Sequence, residues 1–195
     1  IYGVKKNYFK KCLAFEPEPK NFRLLKLNVF INNLNDQFEL YNTALNDGTE
    51  KKLLFKLSKD NYGDHHISHE SNIYSTKERE EIVVPCNTLD NLCKELEMNE
   101  IILFMDTQGY EGHILSGSKS LIAASIPIVT EFWPYGLTRS NGKEKFYNAL
   151  ENTNYKNLYD LRFPDKKIEF NIQALEKIAS DLGEDKDIFT DLLIF

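Results

Sequence analysis

Short apolar runs alternate along the whole chain with stretches whose apolar residues recur every three or four positions. Cys12 to Phe15 is one such run; it halts at Glu16-Pro17 and reads as a buried strand stopped by proline. Pro19 suits the first turn of a helix, along which Phe22, Leu25 and Val29 share one face until Asn32, Asn33 and Asn35 break it. Phe38 to Tyr41 and Leu53 to Leu57 alternate as strands, with Asn46-Asp47-Gly48 as a turn between them. From Lys59 to Glu80 apolar residues are few. That stretch reads as a long surface excursion, and Ile82 to Pro85 follows as a strand.

The second half repeats the alternation. Thr88 opens a capped helix with Leu89, Cys93 and Leu96 on one face. Ile101 to Met105 is an unbroken apolar strand of the kind buried on both faces of a parallel sheet, and it ends at Asp106. A helix from about Glu111 turns Ile114, Leu115, Leu121 and Ile122 inward, and Ile126 to Phe132 forms the next buried strand, closed by Trp133-Pro134. Phe146, Tyr147 and Leu150 mark a helix, and Tyr155 to Leu161 a strand. A last helix carries Leu175, Ile178 and Leu182 and stops at Gly183, before a final strand from Ile188 to Phe195. This order predicts an α/β layered domain with a mainly parallel sheet and right-handed crossovers. No repeat or linker divides it, so residues 1–195 read as one domain.

Composition narrows the function classes. A chain of 195 residues can bury one sizeable core, and 13 Phe with 10 Tyr exclude a disordered chain. The net charge of -6, with acidic residues scattered throughout, argues against a nucleic-acid backbone as the main partner. The longest apolar runs are too short to span a bilayer. Cys12, Cys86 and Cys93 form neither an even framework nor a C-x-x-C pair, which points to reduced thiols in the cytoplasm.

Ligands of open α/β sheets sit beyond the carboxyl ends of the strands, and three acids end apolar strands here: Glu16, Asp106 and Glu131. A carboxylate after an early strand can accept hydrogen bonds from both hydroxyls of a ribose, which suits Glu16; a solvated strand-end acid is the equal alternative. The segment Asp106-Thr107-Gln108-Gly109-Tyr110-Glu111-Gly112-His113 is the densest candidate. In it Asp106 can orient a hydroxyl or act as a base, while Glu111 favours the positive end of a helix dipole. His65, His66 and His69 lack the helix that a metal pair needs. With no zinc-like Cys/His spacing either, no metal centre is expected.

Several of these segments together resemble the FkbM-type methyltransferases. Leu13-Ala14-Phe15-Glu16-Pro17 is similar to the family's second-strand signature, and Asn42-Thr43-Ala44-Leu45 to its third strand. Thr88-Leu89-Asp90, the Asp106 to Gly112 block, Ile128 to Phe132 and Thr190 to Leu193 follow in the family's order. The resemblance implies a Rossmann-like class I sheet with an antiparallel last strand, and S-adenosylmethionine as methyl donor. The acceptor would be a hydroxyl of a sugar, glycan or other small molecule; a non-catalytic interaction module on the same fold is the alternative. Glu16, Asn42, Ala44 and Asp106 would bind the cofactor, Asp106 or His113 would take the acceptor's proton, and Glu111 and Glu131 would contact the acceptor. His113 is expected on the helix surface. The family's first strand and glycine-bearing turn would precede Ile1, so the domain is expected to be N-terminally incomplete, its sheet completed by a longer chain, a partner or a second copy.

Overall fold

In the computed structural model, which describes residues 1–57, 66–67 and 80–195, the apolar runs become strands and the periodic stretches helices. A one-turn helix α1 (Tyr2–Lys5) leads to β1 (Cys12–Phe15), α2 (Pro19–Ile31) and β2 (Phe38–Tyr41). β1 and β2 lie parallel in a two-stranded sheet, Cys12 opposite Phe38 and Phe15 opposite Tyr41. The helix between them supplies the long crossover that parallel strands require. Glu18 caps α2 by accepting a hydrogen bond from the Asn21 N–H at 2.5 Å, and Pro19 takes the first helical position, where its missing N–H costs nothing. The helix stops at Asn32, and Asn33 follows in the left-handed region at φ 56°. Val29 joins Val4 and Leu34 in a small core, while Leu24, Leu27, Phe30 and Ile31 stay exposed.

An antiparallel excursion then interrupts the alternation. β3 (Ala44–Leu45), β4 (Lys52–Leu57), β5 (His66–Ile67) and β6 (Glu80–Asn87) form a sheet in the order β3-β6-β4-β5. Leu53, Phe55 and Leu57 alternate inward, as their spacing predicts. The imidazoles of His65, His66 and His69 lie outside what is described.

The second half contributes α3 (Leu89–Leu92), β7 (Leu103–Met105), α4 (Glu111–Ser116), α5 (Lys119–Ala123) and β8 (Ile128–Phe132). After these come α6 (Pro134–Arg139), α7 (Lys143–Leu150), β9 (Asn157–Asp160), β10 (Lys167–Glu169), α8 (Ile172–Leu182) and β11 (Thr190–Ile194). Five strands form a sheet in the order β10-β9-β11-β8-β7. β7 and β8 are parallel, and the last strand, β11, runs antiparallel between β8 and β9. Phe132, Phe146, Leu158, Leu175 and Leu192 are fully buried in the main core. α4 reaches α7 closely because residue 112 is glycine: a Cβ there would stand 2.0 Å from the Gly142 carbonyl oxygen.

Several expectations change. The sheets are mixed rather than mainly parallel, since β10 adds a hairpin to β9 and the excursion pairs antiparallel. The predicted single helix after Glu111 is two, divided at Gly117-Ser118. Most telling is β7. Its middle residue, Phe104, is 70% exposed rather than buried on both faces. β7 ends its sheet, with β8 its only strand partner among the described residues, and β1 likewise pairs only with β2. Among the described residues no helix is long and apolar enough to cross a membrane. Cys12, Cys86 and Cys93 are free thiols.

Candidate functional site

β1 and β7 end at one cavity of about 340 Å³, which β3 also borders, although the three strands belong to three different sheets. Its volume falls within the range of small-molecule sites. Glu16, Ala44 and Asp106 all line it.

Glu16 owes its position to the way β1 stops. Its N–H still donates to the Tyr41 carbonyl at 3.0 Å, so the residue continues the β1–β2 register into Pro17. The Glu18 N–H donates to Glu16 Oε1 at 2.8 Å and orients the carboxylate. Burial raises the Glu16 pKa above the ordinary carboxyl value; the Glu18 N–H opposes that rise and the Glu18 charge adds to it. Asn42 stands behind this turn. Its Nδ2 donates to the carbonyls of Glu16 and Pro17, at 2.8 and 3.0 Å, so its side chain anchors the turn.

Asp106 sits on a loop fastened from two sides. Gln108, at φ 56°, donates from Nε2 to Asp106 Oδ1 at 3.1 Å. Thr107 donates from both N–H and Oγ1 to Glu111 Oε1, each at 2.8 Å. From the other side, Arg139 Nη2 donates to the Gln108 carbonyl at 2.9 Å and Ser140 Oγ to the Gly109 carbonyl at 2.5 Å. Gly109, at φ 91°, lies so close to α6 that a Cβ would stand 2.3 Å from the Gly136 carbonyl carbon and oxygen. This loop is therefore a rigid platform.

His113 is buried rather than on a helix surface, and lies outside the cavity lining. It stacks on Tyr110 at 4.1 Å between ring centroids, and its Nε2 meets the Ser140 carbonyl at 2.9 Å. A carbonyl only accepts, so Nε2 carries the proton there. That geometry describes a packing residue that braces α4 against the segment after α6.

Glu111, the first residue of α4, and Glu131, in β8 just before its last residue Phe132, are also buried and outside the lining. Glu111 Oε2, Glu131 Oε2 and Trp133 Nε1 have no hydrogen-bond partner among the described residues. Burial raises the Glu111 pKa, against the Thr107 and backbone hydrogen bonds that lower it. Glu131 is pushed up to about 8, first by burial and then by the charges of Asp106, Glu111 and Asp191, with Arg139 opposing.

Folded Glu131 thus keeps a proton that the unfolded chain releases above its ordinary value of 4.5. The stability this contributes is complete below that value and is lost as pH rises towards about 8. Urea melts between pH 5 and pH 8 should therefore show Glu131→Gln losing less stability than the wild type. The expected difference is up to ~1 kcal/mol per pH unit; parallel losses in the two proteins would contradict the assignment.

Phe55 and Ile67 line the cavity too, as do Thr107 and Gln108. The alternation of Leu53, Phe55 and Leu57 marks Phe55 as inward, but local spacing cannot say which cavity an inward residue meets.

Residues 2–158 match the family described as the methyltransferase FkbM domain. Among solved structures, the methyltransferase FkbM from Methylobacillus flagellatus KT shares the fold with a TM-score of 0.53 at 12% sequence identity. The alignment covers 99% of this chain and 38% of that one, so the chain spans well under half of that protein's length. No curated protein matches the sequence.

Proposed function

The chain belongs to the FkbM methyltransferase family, and on that premise we propose that it serves an S-adenosylmethionine-dependent transfer of methyl to a hydroxyl of a sugar, glycan or other small molecule. One observation carries the reading: Glu16 and Asp106, from separate sheets, line one cavity that also has an apolar wall. When bound, S-adenosylmethionine supplies a methyl group already activated by its sulfonium.

The chain's own residues then have distinct work. Glu16, oriented by the Glu18 N–H, offers two coplanar acceptors to a ribose. Asn42 keeps Glu16 in place by holding the turn behind it, and Ala44 admits the ligand by its small size. Asp106 orients the acceptor hydroxyl and takes its proton. Glu111 steadies the Asp106 loop through Thr107, and neither it nor Glu131, both buried outside the cavity lining, meets the acceptor in this reading. Holding the acceptor in line accounts for much of the rate in such a transfer. His113 takes no proton in this reading, because it is buried and lies outside the cavity lining.

β1 and β7 each keep one open edge among the described residues, and the exposed Phe104 ring marks an uncovered face. A further parallel strand, from elsewhere in the protein or from a partner chain, suits those edges. A glycine-bearing turn at its end would let backbone approach the methionine portion of the donor closely. The free thiols suit a reducing, cytoplasmic setting.

The test is calorimetric titration of the intact natural protein with S-adenosylhomocysteine, the product form of the donor. Saturable binding at one site per chain is expected. A folded protein that binds none would end the reading. If it instead bound a specific protein partner through the apolar face of α2, where Leu24, Leu27, Phe30 and Ile31 lie exposed, an interaction module on this fold would replace it.

A further inference from the structure

The cavity wall is mixed in chemistry. Glu16, Asp106, Thr107 and Gln108 bring carboxylate, amide and hydroxyl groups after β1 and β7, while Phe15, Leu45, Tyr110 and Ile114 add apolar surface. A further apolar pair comes from the antiparallel excursion. Phe55 on β4 and Ile67 on β5 are direct cross-strand partners, so their side chains share a face, and each is 7% exposed. The parts of an adenosine-bearing sulfonium make correspondingly different demands. Its amino-acid end is charged and needs polar partners, its ribose needs acceptors, and its purine is flat and gains most from aromatic and branched apolar surface.

We propose that Phe55 and Ile67 form the wall against which the purine of the donor packs, so that the antiparallel excursion selects a purine nucleoside. This rests on the methyl-donor reading above. The excursion thereby acquires a role that a bare alternation of parallel strands and helices would leave unfilled. β4 is held in place along its whole length by β6, from Lys52 opposite Pro85 to Leu57 opposite Glu80, so the wall is preorganised before ligand arrives.

The experiment separates the donor into fragments. The intact natural protein is titrated calorimetrically with S-adenosylhomocysteine, adenosine and homocysteine, in the wild type and in Phe55→Ala, Phe55→Leu and Ile67→Ala. Loss of an aromatic face under a base is expected to weaken S-adenosylhomocysteine and adenosine in Phe55→Ala by the same factor, roughly tenfold or more. Homocysteine binding should be unchanged. Because Phe55 also packs into the main core, Phe55→Leu keeps most of the volume while removing the ring. It should melt near the wild type and still weaken adenosine several-fold. The proposal is overturned if folded Phe55→Leu and Ile67→Ala bind adenosine and S-adenosylhomocysteine as the wild type does. It is equally overturned if homocysteine weakens as much as adenosine. A wild type that binds S-adenosylhomocysteine nowhere sinks the donor reading itself, a different and separable result.

Discussion

Glu16→Ala should abolish S-adenosylhomocysteine binding while leaving the protein folded. The carboxylate sits at the cavity with one oxygen already fixed by the Glu18 N–H, so it meets a ribose without paying to be ordered. Two charge-assisted hydrogen bonds of ~1.5–3 kcal/mol each correspond to a loss of roughly 10²–10⁴-fold in affinity. Stability should move little. Burial already disfavours the Glu16 charge, and its removal relieves that cost while taking away one acceptor from Glu18. Glu16→Gln, which keeps an oxygen acceptor but no charge, should fall between the two. Calorimetry reads the affinities and urea melts read the fold. An affinity within about threefold of the wild type would remove Glu16 from the ribose and shift that role to Asp106, the other strand-end acid of the described lining.

Gly109→Ala should cost ~2–6 kcal/mol of stability, enough to unfold many domains of this size. Two terms combine. Residue 109 has φ 91°, where a side chain is strained by ~1–3 kcal/mol. The new methyl would also press on the Gly136 backbone at 2.3 Å, and forcing a methyl into a packed site costs a further ~1–3 kcal/mol. Gly183→Ala separates these terms, because Gly183 has φ 73° but nothing within 4 Å of a Cβ. Urea midpoints, compared at equal slope, should place Gly109→Ala well below Gly183→Ala. Equal losses would mean that the approach of the Asp106 loop to α6 carries no energy. A survivor with a displaced loop should also bind the donor weakly, since Asp106 rides on that loop.

What the sequence made legible follows from where its signals are local. β1, α2 and β2 were readable because proline and asparagine punctuate them, and the cap at Thr88 is side-chain chemistry visible in a few residues, whereas the Glu18 cap emerges only in the fold. Glu16 and Asp106 were readable for the same reason: each directly follows a short apolar run. α6 was hidden because Pro134 ends the apolar run of β8 and yet is equally suited to the first turn of a helix. The exposure of Phe104 depends on what covers a sheet face, which no local pattern encodes. His113 shows the same limit. Its helix has one face against the core, but the segment after α6 covers the other. The raised pKa of Glu131 joins residues far apart in sequence, brought together by the parallel pairing of β7 with β8.

The strands that meet at the cavity come from three sheets, and no strand pairing among the described residues joins β1 to β7. A ligand gripping both Glu16 and Asp106 would be a rivet between sheets that share no ladder there. Filling the site and consolidating the fold would then be one equilibrium, in which ligand concentration sets how firmly those sheets are joined.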